Sequence, residues 1–117
     1  MTMPRTRLLG ALAVTAACAV AGTAASPAAA KTCPRPDYPG QGYFNKVEAF
    51  GISCGGAKDV VLGHYKCRTK NGIKGKCPSF SGWSCKEKRQ AISTEYNAKV
   101  TCTKSGRKVV YYYNQDT

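Results

Sequence analysis

The cysteines constrain the fold of this 117-residue chain more than any other feature of its sequence. One of the seven, Cys18, lies in an apolar N-terminal segment, and the other six follow residue 30. An even number of cysteines in a short exported chain indicates a disulfide framework, here of three bridges. Each bridge is expected to contribute about 2–4 kcal/mol, which a chain with so small a core needs. The six cysteines are Cys33, Cys54, Cys67, Cys77, Cys85 and Cys102.

Residues 1–30 predict a secretory signal peptide. Arg5 and Arg7 supply its positive start, residues 8–20 are apolar, and three alanines close the segment in the pattern that signal peptidase accepts. Cleavage after Ala30 would leave a mature chain that begins at the next residue. This pattern predicts a secreted, extracellular protein.

The N-terminal segment has two alternative interpretations. A lipoprotein would be modified at Cys18, but the residues just before it lack the large aliphatic side chain usually found three positions upstream. A retained transmembrane anchor would need about 20 apolar residues, and this apolar run is shorter. We therefore expect no transmembrane anchor, with lipidation of Cys18 as the open alternative.

The pairing of the six cysteines has fifteen possible patterns, among which a sequence does not choose. The loop from Cys67 to Cys77 is short and closes most readily, so this pair is favoured. Cys54 is then expected to bond to Cys85 or Cys102, which leaves Cys33 with whichever cysteine remains. The spacings contain no Cys-x-x-Cys pair, which argues against zinc. No metal and no cofactor are expected.

One helix is predicted, in the segment from Ile52 to Cys67. Ser53 is suited to cap its first turn, because its hydroxyl can accept from an otherwise unpaired amide. Apolar residues then recur at spacings of three and four from Cys54 onward, which is typical of a helix with one buried side. Gly63 is expected on the opposite side, facing water.

Strand signals lie on both sides of this helix. Residues 31–41 are rich in proline and predict an extended lead-in. Strands are expected at 42–50, 82–86, 96–103 and 108–114, with a hairpin turn at 104–107 and either a loop or a further strand at 87–95. Residues 42–117 therefore predict a disulfide-stapled α+β domain. In it, one helix packs on a small antiparallel sheet of three or four strands.

The mature chain is strongly basic. Without Arg5 and Arg7 it carries 16 basic and six acidic residues, a net charge of +10. Such a surface attracts polyanions such as wall teichoic acids, anionic phospholipid, extracellular nucleic acid or acidic polysaccharide. The densest basic cluster is Lys66, Arg68, Lys70, Lys74 and Lys76. We predict that these five form a cationic knob that contacts several phosphates. The alternative is a solvated loop whose lysines only repel one another.

No arrangement typical of catalysis is visible, and a non-enzymatic protein is expected. His64, the one histidine, lies at the flank of the helix's apolar side, where a half-buried packing role is ordinary. A small secreted nuclease would combine a carboxylate such as Glu95 with a histidine late in the chain, and none follows His64. The segment from Cys77 to Cys85 suggests an inhibitor of an extracellular hydrolase as the main alternative function.

Three consecutive tyrosines near the C-terminus offer a further surface. Tyr111 and Tyr113 share one side of the last strand and are expected in the core or half-buried. Tyr112 then faces the other side, where a tyrosine can stack on bases or sugar rings.

The runs GISCGGAKDVV, GWSC, TEYNAKVTC and VVYYYNQDT carry the cysteine spacings of residues 42–117. In these runs the chain resembles a group of small secreted cysteine-rich actinobacterial proteins of unassigned function. The resemblance implies an exported, disulfide-bonded domain and transfers no catalytic residue. The prediction is a secreted, monomeric binding module whose partner is a cell-wall or other extracellular polyanion, with a protein partner as the alternative.

Overall fold

The computed structural model describes residues 29–117, so nearly all of the predicted signal peptide, including Cys18, lies outside the described residues. Helix α1 (Cys54–Arg68) follows the first two strands. The strands are β1 (Lys31–Cys33), β2 (Gly42–Phe50), β3 (Ser79–Phe80), β4 (Trp83–Ile92), β5 (Glu95–Lys104) and β6 (Arg107–Asp116). Within this part of the chain, no helix has the length and apolar character needed to cross a membrane.

All six strands join one antiparallel sheet in the order β1-β2-β6-β5-β4-β3. The predicted sheet of three or four strands is therefore wrong in size. Four long strands form its centre, and β1 and β3 extend it at the two edges. β1 has three residues and β3 has two, so neither is long enough to show an alternating pattern in the sequence. They form because β2 and β4 would otherwise present unpaired backbone groups at the edges of the sheet.

Strand β4 is also longer than its apolar pattern indicates. It continues through the polar segment after Lys86 as far as Ile92, paired with β5 from Ser84 onward. Strand propensity depends strongly on cross-strand partners, so pairing with β5 outweighs the weak local signal. β6 lies between β2 and β5, a central place that suits its content of Val and Tyr.

Helix α1 begins as its sequence predicts. The Ser53 hydroxyl accepts a hydrogen bond from the amide of Gly56 at 3.0 Å, and Val61 is fully buried. The expectation for Gly63 is wrong, because this residue packs against Phe80 rather than water. A Cβ added to Gly63 would lie 2.7 Å from Cε2 of the Phe80 ring.

Only one face of the sheet contributes to the core. The inward side chains of the long strands pack with α1, and they include Phe44, Val47, Val100, Tyr111 and Tyr113. The other face carries mostly exposed or half-buried side chains, and no helix or strand of residues 29–117 is layered on it. We call it the open face.

Three disulfides join these elements: Cys33–Cys54, Cys67–Cys77 and Cys85–Cys102. The first ties β1 to the start of α1. The second is the pair that was favoured because the loop between its cysteines is short. The expected bond from Cys54 to Cys85 or Cys102 is wrong. The register places Cys85 directly opposite Cys102 on the paired strands β4 and β5, so these two bond to each other.

Candidate anion-binding surfaces

The segment after α1 carries most of the predicted cationic knob. We call Lys66 together with residues 69–76 the lysine loop. The side chains of Lys66, Lys70, Lys74 and Lys76 are exposed there. Arg68 is not part of this surface, because it is only 1% exposed. Since α1 continues through Arg68, this residue falls one turn after buried His64, on the same side of the helix.

Arg68 instead supports the lysine loop from the interior. Its Nη1 donates to the carbonyl oxygen of Ile73 at 3.3 Å, and its Nη2 donates to the hydroxyl of Tyr38 at 2.6 Å. The guanidinium carbon lies 4.0 Å from the centroid of the Tyr113 ring. Such a cation–π contact gains strength where water is excluded. The role of Arg68 is therefore to hold the loop onto the core.

A second arginine, Arg89 on β4, holds the same loop. Its Nη1 donates to the carbonyl of Lys74 and its Nη2 to that of Gly75, both at 3.0 Å. The hydroxyl of Tyr96 donates to the carbonyl of Ile73. The loop thus turns its carbonyl groups inward and its lysine side chains outward.

His64 belongs to the buried framework beneath this loop and is not half-buried as expected. It is fully buried, and its Nε2 donates to the carbonyl of Cys77 at 3.1 Å. Its Nδ1 must then accept from the hydroxyl of Tyr111. Burial lowers the pKa of His64, because an imidazolium would lose its hydration there. Both ring nitrogens are engaged inside the fold, so the geometry gives His64 a structural role.

Glu87, Arg89 and Tyr113 form a further hydrogen-bonded group in the interior, although Glu87 Oε1 and the nearby Arg68 Nε are buried without a partner among residues 29–117. Arg89 Nε donates to Glu87 Oε2 at 2.7 Å, and the hydroxyl of Tyr113 donates to the same oxygen. Burial, reinforced by that hydrogen bond, raises the pKa of Tyr113. Burial likewise raises the pKa of Tyr38 to about 12, against the opposing effect of Arg68. At neutral pH these phenols are protonated and serve as hydrogen-bond donors in the interior.

The open face is a second cationic surface, which the sequence analysis did not identify. Strand register aligns its side chains in rows across β2, β6, β5 and β4. One row reads Lys46, Tyr112, Lys99 and Lys88. Lys86 lies in the adjoining row, and Lys108 lies in the row beyond that. A depression of about 440 Å³ runs along this part of the face, between Asn45 and Lys88.

The five lysines of the open face outnumber its three carboxylates, which are Glu48, Glu95 and Asp116. Glu48 lies 3.7 Å from Lys46, and the other ion pair among residues 29–117 joins Arg89 to Glu87. Lys88 and Lys99 stand directly opposite each other, an arrangement that costs free energy through repulsion. The alternation of inward and outward side chains along each strand could have placed each of these lysines on an outward position. Only the pairing of the strands shows that they lie on one surface.

The segment proposed as an inhibitory loop, between Cys77 and Cys85, is short and folded back. β3 and β4 form a hairpin in which Phe80 pairs with Trp83. The Phe80 ring is half-buried against Gly63 of α1.

Neither a protein family, nor a curated protein, nor a solved structure matches this chain. Residues 29–117 also bring together no group of three or more side chains that would suit a metal ion. The chemistry of the two cationic surfaces is therefore the basis for a functional argument.

Proposed function

We propose that this protein is a secreted, non-enzymatic binding module that holds an anionic polymer of the cell surface, such as a teichoic acid or an acidic polysaccharide. The observation that supports this function is the geometry of the lysine loop. Its exposed lysines point outward because Arg68, Arg89 and Tyr96 bind its carbonyl groups from inside.

The constraint on the loop matters because single exposed lysines bind anions weakly. The Cys67–Cys77 bond and the internal hydrogen bonds order the backbone before any ligand is present. Binding then loses less conformational entropy than it would with a free loop. Several lysines on one ordered loop can contact successive anionic groups of a polymer, with release of bound counterions.

The test uses the exported, oxidised protein and washed cell walls or purified wall teichoic acid. At low salt we expect retention, and the affinity should fall steeply as the salt concentration rises. The variant Lys70→Gln/Lys74→Gln/Lys76→Gln should lose most of the retention.

A matched control removes the same charge from exposed positions outside the loop, as Lys31→Gln/Arg35→Gln/Lys58→Gln. This protein should retain most of its wall binding. Equal retention of the loop variant and the control would refute a role for the lysine loop. Capture of one secreted hydrolase in a complex that resists salt would instead favour the inhibitor function.

A further inference from the structure

Two tyrosines stand among the lysines of the open face. Tyr112 lies between Lys46 and Lys99 in its row, with Lys99 Nζ 5.8 Å from the ring centroid. Tyr43 pairs with Asn114 in the next row and is 53% exposed. Diagonal neighbours on paired strands are about 7–8 Å apart, so the two phenol rings form adjacent platforms on one surface.

A row of amide side chains crosses the sheet beside these tyrosines. Asn114 donates to Glu95 at 2.9 Å and to Asn97, and it accepts from Asn45. These bonds fix the centre of the row, and Gln90 continues it on β4 at an exposed position. Amides combine donors and acceptors, which is the pattern that the edges of unpaired bases present.

We infer that the open face binds single-stranded nucleic acid, at a site separate from the lysine loop. Phosphates lie against Lys86, Lys88 and Lys99, and successive bases stack on Tyr43 and Tyr112. A phosphate between Lys88 and Lys99 relieves the repulsion that this cross-strand pair otherwise imposes.

The dimensions and chemistry of the face favour this ligand over other polyanions. From Lys108 to Asn114 the face extends roughly 20 Å along β6, room for several nucleotides. A polyol phosphate carries charge but no planar ring, so it would leave both tyrosines unused. A duplex keeps its bases stacked inside the helix and presents none to Tyr43 or Tyr112.

The test compares three ligands of equal length by fluorescence anisotropy at one fixed salt concentration. They are a deoxythymidine dodecamer, an abasic dodecamer with the same phosphates, and a duplex of the same length. The unaltered protein should bind the deoxythymidine strand at least tenfold more tightly than either other ligand. Equal affinity for the normal and abasic strands, or equal affinity for the duplex, would overturn the inference without any variant.

Variants then assign the binding to side chains. Tyr43→Ser/Tyr112→Thr should reduce the affinity for deoxythymidine to that for the abasic strand. Tyr43→Phe/Tyr112→Phe keeps both rings and should bind as the parent does, which also controls for loss of folding. If the Phe variant loses the preference for bases, stacking on the two rings is not its cause.

Charge variants separate this site from the one proposed on the lysine loop. Lys86→Gln/Lys88→Gln/Lys99→Gln should weaken binding of both single strands and reduce the dependence on salt. Lys70→Gln/Lys74→Gln/Lys76→Gln removes the same charge and should keep the ratio between normal and abasic strands. The reverse result would place nucleic acid on the loop and overturn the inference, whatever the outcome with cell walls.

Discussion

The substitution Gly63→Ala distinguishes the packing of helix α1 in the structure from the expectation of a water-facing glycine. On an exposed side of a helix, replacing glycine by alanine stabilises a protein by about 1 kcal/mol. In this structure the new Cβ would lie 2.7 Å from Cε2 and 3.3 Å from Cζ of Phe80. Carbon atoms in favourable contact are about 3.5–4.0 Å apart, so the ring must move by roughly 1 Å.

The expected sign follows from comparing two free energies. Inserting a methyl group into a packed contact costs about 1–3 kcal/mol, which exceeds the gain in helix propensity. Phe80 is half-buried in the two-residue strand β3, close to the Cys67–Cys77 bridge, so its freedom to shift is limited. We expect Gly63→Ala to lower the free energy of unfolding by about 1 kcal/mol.

Urea unfolding followed by the fluorescence of Trp83, the single tryptophan, measures this change. Gly55→Ala is the matched control in the same helix, because its Cβ would meet nothing closer than the Ser53 hydroxyl at 3.9 Å. It should leave stability unchanged or raise it. In a Phe80→Ala background, Gly63→Ala should become stabilising. If Gly63→Ala stabilises the protein even with Phe80 present, the packing argument is refuted.

Two further predictions concern buried groups. Arg68→Ala should lower the free energy of unfolding by about 2–4 kcal/mol, because it leaves a cavity and removes the hydrogen bonds to Tyr38 and Ile73. Urea unfolding checks it, and in the cell-wall assay the folded variant should be retained less than the parent, because its lysine loop has lost one of its internal anchors. Weaker retention at unchanged stability would make Arg68 a ligand instead. Above its ordinary pKa of 6.5, His64 is neutral in both the folded and the unfolded chain, so it adds no pH dependence to the free energy of unfolding there. Below that pH the unfolded chain takes up the proton first, and stability should fall until the lower folded pKa is reached. Unfolding curves of His64→Gln from pH 7.5 to 5 should lack this loss, and an unchanged pH dependence would contradict the assignment.

Features with local determinants could be predicted from the sequence. Ser53 caps α1 through an amide three residues away, and the buried residues of the helix recur at helical spacing. The turn between β5 and β6 is equally local, because Ser105 and Gly106 both adopt positive φ as a two-residue hairpin requires. Contacts between residues only three or four positions apart can be predicted directly from the amino-acid sequence.

Features that depend on pairing between distant residues could not be predicted. The two edge strands form against β2 and β4, and their own few residues hold too little pattern. The lysines of the open face become neighbours only because β2, β4, β5 and β6 align in one register. Nothing in the spacing of Lys46 and Lys99 along the chain indicates that they flank the same tyrosine.

Composition and cysteine count thus indicated a small, basic, disulfide-bonded chain, and the position of Ser53 with the apolar spacing after it indicated one capped helix. Tertiary structure decided which basic groups reach solvent, because burial depends on packing rather than on charge. It turned Arg68 inward onto Tyr113 and left the neighbouring Lys66 and Lys70 in water. It also decided the cysteine pairs, since a disulfide forms only where folding brings two sulfur atoms together.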